Sequence, residues 1–191
     1  MARSKEFDVD DVLGKAMDIF WRQGYEKTSM QDLVAGMGIH KRSMYDTFGD
    51  KHTLYLKAVE RYAEGFAARN YGPLEAAPTV KEAIRRLFEA VVYREASQPK
   101  GCLLVNSAVE LSVHDPEVAD RVNEAFFRTE QLLEQLITKG QASGELTAAL
   151  PAAALAACLH NALVGLRVMV KTTADKDKLQ SVVDTTLAVL G

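Results

Sequence analysis

The stretch Thr28–Lys51, TSMQDLVAGMGIHKRSMYDTFGDK, decides the reading of this chain. Thr28 or Ser29 can cap a helix, because a hydroxyl at that position accepts from an otherwise orphaned amide, and Gln31 or Asp32 stands where it can reciprocate. Met30, Leu33, Val34 and Met37 recur at helical spacing and mark one buried stripe. Gly36 and Gly38 end that helix, since glycine tolerates the left-handed conformation of a C-terminus. Ile39 is apolar and anchors the turn. The next helix opens on four polar residues, His40, Lys41, Arg42 and Ser43, and keeps Met44 and Phe48 for the core. A basic N-terminal end on a helix with an apolar underside has the layout of a DNA recognition helix.

Composition narrows how such a head can work. The chain has 191 residues, is 48% hydrophobic and carries a net charge of −3. Residues 1–70 hold as many acidic as basic side chains, and the negative excess lies in the remainder. Bulk attraction to a polyanion is therefore excluded, and any nucleic-acid binding must come from placement of Arg3, Lys5, Lys41, Arg42, Lys51 and His52. Cys102 and Cys158 lack zinc or disulfide spacing, which suits a reducing cytosol. The start, MARSKEFDVDD, is too charged for a signal peptide, and no long uncharged apolar run is expected to span a membrane. A soluble, cytoplasmic protein with no membrane partner is expected. No nucleophile–base pair, Gly-rich phosphate loop or metal-ligand motif stands out, so no enzyme, cofactor or metal is expected.

Working outward from the opening stretch, the pattern predicts an all-α fold of nine helices. A short arm, residues 1–7, precedes a helix from Val9 to about Gln23, capped by Asp8 and stopped by Gly24. Helices follow over Lys51 to Asn70, Val80 to Ser97, Cys102 to Val113, Pro116 to about Ala142, Pro151 to Thr172, and Asp175 or Asp177 to Val189. The Cys102–Val113 segment is apolar on most sides and reads as central. Residues 1–50 are expected to form a three-helix DNA-binding head, and residues 51–191 a larger six-helix dimerisation body. The last two helices carry the apolar faces Ala153, Leu155, Ala156, Leu159, Leu163, Leu166 and Leu179, Val182, Val183, Thr186, Leu187. A helical DNA reader presents two heads to adjacent major grooves, so these faces are expected to make a homodimer; the alternative is that they only close the monomer core.

The run from Thr28 through Tyr45-Asp-Thr-Phe-Gly-Asp-Lys-His-Thr-Leu54 closely resembles the helix-turn-helix signature of the TetR family of bacterial regulators. The similar elements are Thr28, the Gly38–Ile39 turn, Tyr45 and Phe48, and Lys51 with Leu54. Pro99 to Leu111, PKGCLLVNSAVEL, resembles the start of the sixth helix in an AcrR-like branch. His40 stands where many members have Ser or Thr, and Arg42 where Gly or Ala is common. The resemblance implies a palindromic double-stranded operator, a helical effector domain, and release from DNA when a small molecule binds.

For the head, the expected DNA-binding set is Thr28, Ser29, His40, Lys41, Arg42, Ser43, Tyr45 and Lys51. Thr28 can offer a hydroxyl and nearby amides to a phosphate. Lys51 opens a helix, where its charge opposes the helix dipole unless an anion lies nearby. Tyr45 places its hydroxyl on the DNA backbone or is core. Arg42 has the planar fork that matches the major-groove edge of guanine. His40 caps the recognition helix or touches a phosphate. Trp21 is core of the head.

For the body, the resemblance implies a cavity roofed by the fourth to eighth helices, with Tyr62, Phe66, Phe88, Val91, Leu104, Phe127 and Leu163 as lining. Cys102, Asn106, Glu110 and His114 follow at four-residue steps along one face, as a polar pocket floor, a metal site or an ordinary polar seam. Cys102 also follows Gly101 at a helix start, where the dipole favours thiolate, so it is the candidate for electrophile or oxidant sensing, with Lys171 as a conceivable partner. The rival to a regulator is a helical ligand-binding or interaction protein without DNA recognition. A weaker third reading is a helical enzyme at the Cys102, Glu110 and His114 face.

Overall fold

The structure, a computed structural model, describes residues 7–74, 76–94 and 98–191. Among these residues there are nine α-helices and no strand: α1 (Val9–Gln23), α2 (Met30–Met37), α3 (Lys41–Phe48), α4 (Lys51–Asn70), α5 (Val80–Val92), α6 (Leu103–Glu110), α7 (Pro116–Ser143), α8 (Ala152–Thr172) and α9 (Lys176–Leu187). Short 3-10 turns lie at Gly72–Leu74 and Ala188–Leu190. Arg3 and Lys5 of the arm, and Ser97 as a helix end, fall outside the described residues. α5 in fact stops at Val92, where Tyr93 returns its amide to the Glu89 carbonyl.

Caps fix the ends of the head helices. Asp8 accepts from the amides of Asp10 and Asp11 to start α1, and Gly24 ends it at a φ of 83°. For α2 the cap is Ser29, not Thr28. The Ser29 hydroxyl accepts from the Asp32 amide at 3.1 Å, and Asp32 accepts from the Ser29 amide at 2.9 Å. Thr28 is fully buried, and its hydroxyl donates inward to the Gly24 carbonyl at 2.5 Å. Replacing Ser29 by alanine is expected to cost about 1 kcal/mol, measured by urea unfolding; unchanged stability would contradict the cap. Gly38 turns the chain toward α3 at φ 71° and ψ 30°, a conformation that a side chain resists.

Two apolar clusters hold the molecule. The first joins Val12, Phe20, Leu33, Met37, Met44 and Phe48 of the head to Leu54, Tyr55 and Tyr62 of α4, Leu103 and Leu104 of α6, and Val118 and Val122 of α7. The second joins α5, the far half of α7, α8 and α9 through Ile84, Leu87, Phe88, Leu133, Ile137, Leu159, Leu163, Val183 and Leu187. α4, α6 and the start of α7 thus share their packing with the head, so a movement in those helices is felt there.

Three expectations change here. α6 is shorter than expected, since Leu111 leaves helical geometry and residues 111–114 turn toward α7. Val109 and Val113 are 80% and 81% exposed, so this segment is central at its start and superficial at its end. Most residues named for a dimer face (Leu155, Ala156, Leu159, Leu163, Leu166, Leu179, Val183, Leu187) are buried in the monomer, whereas Ala153 is exposed and Val182 and Thr186 are half-buried. What α8 turns outward is a stripe of small residues: Ala154, Ala157, Cys158, Asn161, Gly165 and Val168. α8 is also long and apolar enough to cross a membrane by length and composition, against the expectation of no such run. Its large aliphatic residues pack into the second cluster, which accounts for that composition.

Candidate nucleic-acid interface and effector cavity

Burial orients α3. Met44 and Phe48 belong to the first cluster and fix its underside. His40, Lys41, Arg42, Tyr45 and Asp46 are left exposed, with Ser43 half-buried. His40 occupies the N-cap with extended backbone but makes no side-chain cap bond, so its capping role is corrected; its ring stays on the surface. Tyr45 is 45% exposed, which rules out the core alternative. Arg42 pairs with Asp46 at 3.7 Å across one helical turn. An exposed pair of this kind is worth a few tenths of a kcal/mol, so it does not hold Arg42 away from a stronger partner. Thr28 does not present its hydroxyl to a phosphate, because that hydroxyl is consumed inside the head.

Lys51 opens α4 behind the Asp50 cap, which accepts from the Thr53 amide at 2.7 Å. The Lys51 ammonium lies 4.1 Å above the centre of the Tyr25 ring. The negative face of that ring compensates part of the unfavourable helix-dipole position. Tyr25 itself is held from the body. The Glu110 carboxylate at the end of α6 accepts from the Tyr25 amide at 3.0 Å and the Glu26 amide at 2.9 Å. Glu110 is therefore not part of a pocket floor; it clamps the α1–α2 loop. A side chain at Gly24 would bring Cβ to 2.9 Å from this carboxylate. A second clasp pairs His52 of α4 with Asp115, the cap of α7, at 2.7 Å. Burial works against ionisation of Asp115, but the Val118 amide and His52 outweigh it and hold the carboxyl below its ordinary range.

The body contains a cavity of about 240 Å³ between α4, the end of α5, residues 98–102 and α8. Of the expected lining, Tyr62, Phe66, Val91 and Cys102 are there. Phe88, Leu104 and Leu163 are buried in the clusters and do not reach it. Phe127 is 59% exposed on α7. Asn106 instead accepts from the Lys171 ammonium at 2.9 Å, and His114 is exposed in the turn after α6. The four-step stripe is thus divided among a cavity, a cross-helix bond, a head clamp and solvent. Larger recesses, of about 560 Å³ between α1 and α4 and about 790 Å³ between α5, α7 and the segment around Tyr71–Leu74, carry ionic side chains at their edges.

Cys102 is the N-cap of α6, 2% exposed and free. The Tyr62 hydroxyl stands beside it, and burial together with the neighbouring thiol pushes that phenol well up. Gly101 has φ 83°, and a Cβ there would meet Lys171 side-chain carbons at 2.6 Å, so α8 passes close beside the cysteine. Sequence reasoning missed Arg94 and Arg167. Arg94 donates to Gln98 at 3.1 Å and to the Gly101 carbonyl at 2.5 Å, with its guanidinium 4.4 Å over the ring of buried Trp21. Arg167 is 3% exposed and lines the cavity. A lone arginine within the apolar run Ala152–Val170 was the signal that could have found it.

An exposed second helix of a helix-turn-helix on a three-helix head, clamped to a helical body with its own cavity, defines the class as a helix-turn-helix protein. Residues 12–58 match the model of the bacterial regulatory proteins of the tetR family, and residues 80–186 that of a tetracyclin repressor-like C-terminal domain. The uncharacterized HTH-type transcriptional regulator YezE of Bacillus subtilis (strain 168) is 41% identical over 100% of both chains. The HTH-type transcriptional repressor ComR of Escherichia coli (strain K12) is 31% identical, covering 97% of this chain and 90% of its own. The TetR family regulator CifR, solved as a cysteine mutant with a 26bp double-strand operator DNA, superposes with a TM-score of 0.90 at 29% identity over 100% of both chains. The chain belongs to the TetR family of transcriptional regulators, and the interaction-protein and enzyme readings are set aside.

Proposed function

We propose that this chain is a cytoplasmic, homodimeric repressor that binds a palindromic operator and is released by an effector in the α4–α8 cavity. Residues 1–50 act as the DNA-binding unit and residues 51–191 as the sensing and dimerising unit. The observation that carries this is the exposed α3 face of Lys41, Arg42, Tyr45 and half-buried Ser43 on a head whose likeness, CifR, was solved on operator DNA. ComR, named a repressor, supports the sign of regulation. Arg42 reads a base edge, and Lys41, Tyr45, Lys51, Ser29 and His40 position the head on phosphates. The dimer forms through the outward faces of α8 and α9, where small side chains let helices approach closely.

Coupling follows one short path. Cys102 lies at the cavity end of α6 and Glu110 at its head end, roughly 12 Å apart along a straight helix. Glu110 holds the Tyr25 amide, and the Tyr25 ring carries Lys51. A ligand that shifts α6 or α4 therefore displaces a phosphate contact and changes the separation of the two heads. A second reading makes the effector an electrophile or oxidant that modifies the Cys102 thiol in the cavity wall. Alkylation of a Cys158→Ser protein at neutral pH, followed by operator binding, decides it: an unreactive Cys102 removes this reading and leaves reversible binding. The proposal as a whole is tested by selecting bound fragments from genomic DNA. A recurrent inverted repeat is expected; no enrichment would overturn it.

A further inference from the structure

Arg167 is the one buried guanidinium in the described lining of this cavity, and it has neither an ion pair nor a hydrogen-bond acceptor there. It is 97% buried by its 3% exposure, yet among the described residues no carboxylate pairs with it and no acceptor takes its N–H groups. Its guanidinium lies over the face of Phe66, 4.7 Å from the ring centre. The described lining of the cavity contains no Asp or Glu, and adds Arg94 and, at an exposed position, Arg69. The Arg167 nitrogens are not sealed in protein but open on the cavity, and a largely buried charge is best satisfied there by a group of opposite sign. Arg94 is different: its Nε and Nη1 are committed to Gln98 and Gly101. Arg167 is left as the fixed donor fork, with Tyr62, Phe66 and Val91 as the apolar wall.

We infer that the effector is a small organic anion, a monocarboxylate whose oxygens are held in bidentate fashion by Arg167 while its apolar part lies against Tyr62, Phe66 and Val91. This rests on the cavity being the effector site. Arginine suits the task, because its planar fork matches a carboxylate and two parallel N–H···O bonds fix orientation as well as charge. The cavity volume of about 240 Å³ limits the size. Pockets for drug-sized ligands run to roughly 300–1,000 Å³, so smaller acids, from acetate to phenylacetate, are the matching range. The positive field in the free protein also leaves a mark on its neighbour on α8: burial lowers the His160 ring's tendency to protonate, and the Arg167 charge lowers it further. A bound anion would remove that second effect. A neutral amide of equal size accepts at most a single neutral hydrogen bond from the guanidinium and brings no compensating charge.

The test uses the full-length protein with acetate, hexanoate, benzoate and phenylacetate, each paired with its amide. Thermal melting and calorimetry report binding without reference to DNA. At least one acid is expected to raise the melting temperature and to bind ten-fold or more tighter than its amide. Arg167→Met, which keeps the stem over Phe66, is expected to lose that binding while melting no lower than the wild type without ligand, whereas a purely structural arginine would lower it. Arg167→Lys is expected to restore part of the acid binding. No binding by any acid, equal binding of acids and amides, or undiminished binding in Arg167→Met would each overturn the inference. Operator titrations of the ligand-free protein are read separately, so failure there speaks against the regulator reading and not against the anion site.

Discussion

Alanine at Arg42 is expected to weaken operator binding by about 1–3 kcal/mol, the worth of one bidentate base contact, and to relax the preference at one position of each half-site. The side chain is 93% exposed, and its pair with Asp46 at 3.7 Å is loose enough to be exchanged for a base edge. Lys51→Ala provides the contrast. Its ammonium sits over Tyr25 at the head of α4, and its proposed partner is a phosphate, not a base. That change is expected to weaken all sequences alike and to reduce the salt dependence by about one phosphate contact. Footprints and salt titrations on both variants separate the two roles. Operator binding unchanged in both would take α3 and the start of α4 out of the interface.

The second large effect belongs to Glu110. Its carboxylate accepts from two amides of the α1–α2 loop, 85 and 84 residues away in sequence. Hydrogen bonds to a charged group contribute more than neutral ones, and removing the acceptor leaves the partly buried Tyr25 amide unpaired. Glu110→Ala is expected to cost about 2 kcal/mol in urea unfolding. It is also expected to blunt effector response, because the loop it holds carries the ring beneath Lys51. Glu110→Gln keeps an acceptor and should fall between alanine and wild type. Wild-type stability with undiminished effector response in Glu110→Ala would contradict the coupling path.

Local chemistry was legible in the sequence, and tertiary partners were not. Asp8, Gly24, Gly38 and Pro116 state helix ends by their own conformational preferences, so α1 and α7 fall where the pattern puts them. Two adjacent hydroxyls offer no such signal. Thr28 and Ser29 differ only in which of them faces the Gly24 carbonyl, and packing of the head decides that. The stripe of Cys102, Asn106, Glu110 and His114 shows the same limit. Spacing says which residues share a helix face, but the face meets a cavity, then α8, then the head loop, then water. Phe127 fails as a lining residue for the converse reason, since an aromatic on an amphipathic helix carries no label for inside or outside. Leu155, Leu159, Leu163, Leu166, Leu179, Val183 and Leu187 could serve as dimer contacts or monomer core by their spacing, and the monomer takes them.

Specific binding is the central claim, and an anisotropy titration measures it most directly. The fragment enriched from genomic DNA and a scrambled fragment of the same length would be titrated with the protein at one fixed, near-physiological salt concentration. Specific readers bind their site roughly 10³-fold or more tighter than other DNA. Such a ratio, with two protomers bound per fragment, is what this account predicts. Equal affinity for both fragments, or no binding to either, would contradict it.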